Sequence, residues 1–274
     1  MSVKLSIIIP CYNSESTLET TLESVFNQYF QNWEAIIVND GSTDTTEQIA
    51  LRWVQKDKRF IYYAKQNEGL TKTRNLGISK SKGTYILPLD SDNQLMHDFT
   101  QDAITVFDKN PEIGVVYGDA EFFGLKKGLW KIEAYNFEKM LVDNYIDACA
   151  VYKKTLWERV GGYDENLPHE GLEDWELWLA FGSLNVNFYH LQKITFKYFV
   201  AENSMIRSFN AEMAMDTRDY MMKKYSKQYR YHFCKSVSEY RGLTEKIKGK
   251  KFAIDIFCKT FFGFSVFGKV KLLS

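Results

Sequence analysis

Tyr85-Ile86-Leu87-Pro88-Leu89-Asp90-Ser91-Asp92 is a short apolar run that ends in two carboxylates one residue apart. An apolar stretch of this length, bounded by polar residues, reads as a buried strand. Side chains alternate along a strand, so Asp90 and Asp92 are expected on one side of it, where one hard divalent cation, and through it a phosphate, could feel both. A lone D-x-D is common, and the weight of this one comes from the residues before it.

Three strand-like runs precede it. Leu5-Ser6-Ile7-Ile8-Ile9-Pro10 is rich in β-branched residues and stops at proline. Glu34-Ala35-Ile36-Ile37-Val38 ends in Asn39-Asp40-Gly41-Ser42, and Phe60-Ile61-Tyr62-Tyr63 follows. Helices fill the gaps. Leu18, Leu22, Val25 and Phe26 share one helical face, with Ser16 and Glu19 at capping-box spacing near its start. Asp44 and Glu47 could cap the next helix, whose inner face carries Ile49 and Trp53, and Gly69 to Ser79 predicts a third. Strand and helix alternating at this spacing predict an α/β fold with a mostly parallel, Rossmann-like sheet flanked by helices. Ligands bind beyond the C-terminal strand ends of such sheets. Those ends offer Pro10-Cys11-Tyr12-Asn13, Asn39-Asp40-Gly41-Ser42 and Asp90-Ser91-Asp92, three polar clusters on one rim.

After Asp92 the regularity fades. Asp98 to Phe107 predicts a helix, Gly114-Val115-Val116-Tyr117 and Ala148-Cys149-Ala150-Val151-Tyr152 predict strands, and Gly161 to Glu165 a turn-rich loop. Leu172 to Phe181 predicts a helix with Glu173 and Asp174 in its first turn, and residues from about Asn210 on are mainly helical and increasingly basic. The expected organisation is a domain over residues 1–207 and a helical extension over 208–274.

The 274 residues are 45% hydrophobic and 26% charged, as in a globular chain, and 35 basic residues balance 35 acidic ones, so nucleic acid is not expected as a partner. Cys11, Cys149, Cys234 and Cys258 are widely spaced and read as free thiols of a reducing compartment. The histidines (His97, His169, His190 and His232) show no ligand spacing; His169 alone is a candidate visitor to a site. Met1-Ser2-Val3-Lys4-Leu5 runs straight into a strand without a signal peptide, and no run reaches the roughly 18 apolar residues of a spanning helix. A cytoplasmic location is expected.

Taken together, Pro10-x-Tyr12-Asn13, Asn39-Asp40-Gly41-Ser42-Thr43-Asp44, Asn67-x-Gly69-x-x-x-x-Arg74-Asn75-x-Gly77, Asp90-x-Asp92, Gly162-Tyr163-Asp164-Glu165 and Glu173-Asp174-Trp175 resemble the family 2 inverting glycosyltransferases with the GT-A fold. The likeness runs from about Val3 to Arg207. It implies hexosyl transfer, with inversion at the anomeric carbon, from a nucleotide-sugar donor, usually a UDP-sugar. It also implies Mg²⁺ or Mn²⁺ as cofactor and a glycan or lipid-linked acceptor, in bacterial polysaccharide or lipopolysaccharide synthesis. Many relatives carry D-x-D-D where Asn93 here takes the last place. A segment that often reads Y-R-x-H-x-N-S is here Tyr198-Phe199-Val200-Ala201-Glu202-Asn203-Ser204, with Phe199 for the Arg and Ala201 for the His. A catalytically silent nucleotide-sugar-binding or scaffold protein of the same fold is the alternative these departures keep. A nucleotidyltransferase would need a basic, glycine-rich loop after the first strand, which Pro10-Cys11-Tyr12-Asn13 does not supply.

By the family pattern Asp92 is the direct metal ligand, Asp90 a metal-water or ribose partner beside Ser91, and Asp40 the acceptor for the uracil ring N–H. Tyr12 offers a stacking face for the base, Pro10 a rigid backbone beside it, and Asn13 and Gly69 complete the donor side. Arg74 is expected to face the diphosphate bidentately, its plainer alternative being a solvated helix arginine. Asp174 is the expected general base, and a carboxylate at a helix start should stay ionised at neutral pH. Trp175 and Trp178 are expected in the core and Glu173 in support of the helix start. Finally, residues from Lys246 to Ser274 hold seven lysines, one acid (Asp255) and many phenylalanines, which suits either an anionic membrane surface or a helix docked on protein.

Overall fold

The computed structural model describes residues 3–201 and 210–267. The chain forms two compact units, Met1–Lys224 and Tyr225–Ser274. The sequence boundary at 207 and residues 202–204 of the Tyr198–Ser204 segment lie outside the described residues.

In the first unit the apolar runs pair as parallel strands. β1 (Leu5–Cys11) lies between β2 (Trp33–Asp40) and β4 (Tyr85–Pro88), and β3 (Phe60–Lys65) flanks β2. β1 and β2 are buried along their whole length because helices cover both faces, which is why their sequences are continuously apolar rather than alternating. Helices α1 (Leu18–Phe26), α2 (Thr46–Lys56) and α3 (Leu70–Lys80) are the crossovers. α3 rests directly on the sheet: a Cβ on Gly77 would come within 2.6 Å of Ile8 Cγ2, so the glycine permits the contact.

Beyond β4 the sheet changes character. Its order is β3-β2-β1-β4-β8-β6-β9-β5, with β5 (Gln94–Leu95), β6 (Ile113–Gly124), β8 (Val151–Lys153) and β9 (Asn187–Val200), while β7 (Gly128–Trp130) pairs with β6. β8 runs antiparallel to both β4 and β6. α4 (Phe99–Lys109), α5 (Phe137–Met140), α6 (Lys154–Val160), α7 (Glu173–Ser183) and α8 (Ala211–Lys224) complete the unit.

Several local expectations are corrected. β4 ends at Pro88, so Asp90 and Asp92 sit in a turn closed by the Asn93 amide on the Asp90 carbonyl (3.1 Å), and strand alternation does not orient them. The strand predicted from Ala148 begins only at Val151. Neither capping box forms. Glu19 accepts from Arg52 and from the Trp53 indole, tying α1 to α2, and Glu47 accepts from the Tyr62 hydroxyl. Asp44 does receive the Thr46 amide at the start of α2. The long strand β9 went unread because its register against β6 shifts around Gln192, whose φ is 54°, and this breaks the period of two.

The second unit holds α9 (Ser226–Lys248) and α10 (Lys250–Phe262). Asp255 folds the end of α10 back by accepting from the Val266 and Phe267 amides (2.6 and 2.8 Å). Among the described residues no helix is long and apolar enough to cross a membrane.

Candidate active site

The tips of β1, β2 and β4 are laced together before any ligand is considered. The Asn13 amide donates to Ser42 Oγ, and Asn13 Oδ1 receives the Thr43 amide (2.8 Å). Ser14 Oγ lies 2.7 Å from Ser91 Oγ. The Asx turn ahead of Gly41 belongs to Asn39, whose Oδ1 accepts from the Ser42 amide, and this leaves Asp40 for a longer reach. Asp40 Oδ1 accepts from Lys65 Nζ (2.5 Å) and the Glu68 amide, and Oδ2 from the Gly69 amide (2.9 Å). Tyr12, by contrast, is 54% exposed.

Arg74 departs from both sequence readings. On α3 it is only 1% exposed, so it is no solvated helix arginine, and it meets the cleft with its terminal nitrogens held by protein carboxylates. Its guanidinium donates to Asp90 Oδ1 (2.5 Å) and to Glu173 Oε1, and lies over the Tyr163 ring. Burial works against its charge, yet the Asp90 and Glu173 carboxylates hold its pKa well above the ordinary arginine value. Arg74 thus joins the β4 tip to the start of α7.

Glu173 supports that start, as expected: its second oxygen takes the Gly171 amide. Trp175 and Trp178 are core residues, 2% and 0% exposed. Their indoles donate to the Met140 and Ile146 carbonyls, so α7 carries the loop between α5 and β8. Asp174 Oδ1 accepts from the Trp175 amide (2.7 Å) and Asn144 Nδ2 (3.2 Å). The helix-start argument for a readily ionised Asp174 is overturned in direction. Burial, then the neighbouring charges of Glu173 and Asp147, push its pKa well above the usual carboxylate range, and Arg74 only partly opposes them. Asp92 is raised to about 7 by burial and by Asp90.

One cleft of about 670 Å³ is lined by every residue that the sequence nominated: Pro10, Tyr12 and Asn13 from the β1 tip, Asp40 from β2, Gly69 and Arg74 around α3, Asp90, Ser91 and Asp92 after β4, and Asp174 on α7. Three further polar residues belong to the site and were missed. Asp147, raised to about 7 by burial and then by Asp90, lines the cleft from just before β8, and Asn144 braces Asp174. Glu170 accepts from the Leu70 and Thr71 amides at the α3 start, beside Gly69, whose φ of 95° lies in the left-handed region that favours glycine. Glu170, rather than His169, is the visitor from that loop, for His169 Nε2 faces Asp216 at 3.2 Å. Asn93, in the last place of the metal motif, is buried with its Oδ1 on the Phe199 amide, so it anchors β9.

A testable consequence lies in the pH dependence of stability. The Asp92 carboxyl moves from 3.8 to about 7 on folding, so folding takes up protons between those values, and the buried charge lowers stability as pH rises through that window. Asp92→Asn removes this contribution. Urea denaturation at about pH 5 and about pH 8 should show a smaller loss of stability with rising pH in the variant than in the parent chain. An equal loss in both would contradict the assigned burial.

Residues 6–161 match the family described as glycosyl transferase family 2. An uncharacterized glycosyltransferase of Rickettsia bellii (strain RML369-C) is 33% identical over 189 residues, 67% of this chain and 27% of that protein. The chain therefore spans 24–31% of the length of the first curated relatives it matches. Among solved structures, S. aureus TarS 1-349 in complex with UDP-GlcNAc superposes with a TM-score of 0.64 at 23% identity, covering 75% of this chain and 61% of that one. The mannosyltransferase PcManGT from Pyrobaculum calidifontis, in complex with GDP-Man and Mn2+, gives 0.59 at 16% identity, covering 74% and 59%. These likenesses show the fold, a GT-A arrangement of a mixed sheet with helices around it. With its matched segment covering more than half of its length, the chain belongs to glycosyl transferase family 2.

Proposed function

We propose that this chain moves a sugar from a nucleotide-sugar donor, of the UDP-sugar type, to a hydroxyl of a glycan or lipid-linked acceptor, with inversion at the anomeric carbon. The observation that supports this most is the shared cleft: the donor-side residues of three strand tips and Asp174 of α7 line one volume.

On the donor side the exposed Tyr12 ring provides a stacking face beside Pro10. Asp40 has three donors on its two oxygens, which leaves a lone pair on Oδ2 for a uracil ring N–H. The residues fit a divalent cation. Asp92 has no side-chain donor among the described residues, Asp90 uses only Oδ1 for Arg74, and their mutual repulsion is relieved by positive charge. Among the described residues no cluster of three or more His, Cys, Asp or Glu has the form of a metal site. A site of one or two carboxylates completed by substrate phosphates is what Mg²⁺ or Mn²⁺ accepts. Held by Asp92 and Asp90, the ion would neutralise charge on the leaving diphosphate.

Asp174 is the base in this reading. With Oδ1 occupied by two N–H donors, Oδ2 is left to take the acceptor's proton as the acceptor oxygen bonds to the anomeric carbon and the diphosphate leaves from the opposite face. Its raised pKa makes its ionised form a stronger proton acceptor than an exposed carboxylate. The presence of Asp92, Asp174 and the full donor side in one cleft favours an enzyme over a silent scaffold. Phe199 and Ala201 do line the cleft, so aromatic and small apolar surface stands where many relatives carry Arg and His.

The second unit supports a peripheral membrane contact. Residues 225–274 hold eleven Lys and Arg against three acids. Phe257, Phe261 and Phe262 of α10 are more than half exposed. Basic charge with exposed aromatics is what an anionic bilayer surface attracts.

Two outcomes check these readings. Against a panel of UDP-sugars and GDP-mannose, Asp174→Asn should keep the parent affinity for the donor that binds, while transfer falls by about 10²-fold or more; full turnover would remove Asp174 from the mechanism. In low-salt flotation with vesicles rich in anionic lipid, the whole chain should float and a chain ending at Lys246 should not. Equal behaviour of the two would rule out the membrane contact.

A further inference from the structure

Asp147 is a cleft carboxylate that the family motifs leave unassigned, and unlike Glu170 it has an oxygen without a donor among the described residues. It stands in the loop between α5 and β8, at the N-terminal end of β8. Because β8 is antiparallel to β4, this end lies on the same rim as the C-terminal ends of β1, β2 and β4. Its loop is held on both sides of Asn144: the Trp175 indole donates to the Met140 carbonyl (2.6 Å) and the Trp178 indole to the Ile146 carbonyl (3.0 Å). Asn144 in turn reaches Asp174. Asp147 Oδ1 accepts from the Cys149 amide at 2.8 Å, which fixes the side chain, and among the described residues Oδ2 has no donor.

Its electrostatic neighbours place it more closely. Asp147 interacts with Asp90 and Asp92 of the donor side and with Asp174, the base, and all four line one cleft. In the transfer reaction the leaving phosphate and the base must face opposite sides of the anomeric carbon. A cleft residue close enough to sense both the donor-side carboxylates and the base is therefore beside the reacting sugars. A structural ion pair does not account for it, since Arg74 gives its hydrogen bonds to Asp90 and Glu173.

We propose that the open oxygen of Asp147 accepts a hydrogen bond from a sugar hydroxyl at the reacting centre, on the transferred sugar or on the acceptor, and so helps to select which sugar the cleft takes. The proposal rests on the glycosyltransferase reading. A carboxylate accepts from hydroxyls, and a buried acceptor left unpaired by a sugar lacking that hydroxyl discriminates strongly against it.

The test uses the full chain with Mn²⁺ and compares Asp147→Ala and Asp147→Asn with the parent, after melting curves establish that each folds. Calorimetric titration with UDP alone should give affinities within about twofold of one another, because UDP carries no sugar. Titration with the panel of UDP-sugars and GDP-mannose should show the affinity of the bound donor falling about tenfold in Asp147→Ala, with partial recovery in Asp147→Asn. That result assigns the hydroxyl to the transferred sugar. Unchanged donor affinity with an acceptor KM raised about tenfold assigns it to the acceptor. The proposal is overturned if both variants keep donor affinity and acceptor KM within about twofold of the parent, or if they lose UDP affinity as fully as sugar-donor affinity. In either case the glycosyltransferase reading stands. If the parent itself binds no nucleotide sugar, that reading falls, and this one with it.

Discussion

The cleft depends on one buried cation. Arg74 on α3 bonds Asp90 after β4 and Glu173 at the start of α7. Three segments far apart in sequence meet on its guanidinium. Removing one partner of a buried ion pair costs about 3–5 kcal/mol, because the other is left charged and desolvated. Replacing the whole cluster with apolar residues could hold the segments equally well, but it would remove Asp90 from the rim. The arrangement therefore ties the fold to the placement of its polar groups. The Asx turn of Asn39, the Asp40 contacts to the Glu68 and Gly69 amides and the Ser14–Ser91 hydrogen bond act in the same way at the other tips.

The same cleft is electrostatically unfavourable on its own. Asp90, Asp92, Asp147 and Asp174 face one volume, and burial with mutual repulsion raises Asp92 and Asp147 to about 7 and Asp174 well above its usual range. Arg74 counters Asp147 and Asp174 from within, with help from the Cys149 and Trp175 amides. A crowded set of carboxylates with open oxygens suits a cation, sugar hydroxyls and a transferable proton, which are the groups that glycosyl transfer brings together. Residues that make a site serve chemistry commonly do so against the stability of the empty fold.

The first half of the chain was legible because physics acts locally there. β1 and β2 are covered on both faces, so their sequences are largely apolar runs, and α1 and α2 carry one apolar stripe each. The three polar tips followed from the rule that ligands gather at the C-terminal ends of parallel strands. That rule also explains the largest omission. Asp147 precedes its strand, and only the reversal of β8 brings that end to the rim, which nothing in the local sequence announces. Arg74 was misread because its partners, Asp90 and Glu173, are set by tertiary packing, and a helix arginine with long-range partners looks the same in sequence as a solvated one. For Asp174, the helix dipole was read without the neighbouring charges, which outweigh it. β9 was unreadable because the bulge near Gln192 breaks its alternation.

Through Asp90 and Glu173, Arg74 joins the donor side of the cleft to the base side. Titration of UDP with Mn²⁺ into Arg74→Met, paired with urea denaturation of the same variant, tests it directly. The expected result is a loss of stability of about 3 kcal/mol, from Glu173 left charged in the interior and half-exposed Asp90 left without its partner, together with a weaker nucleotide affinity at temperatures where the variant is still folded. Parent-like stability and parent-like UDP affinity in Arg74→Met would contradict it.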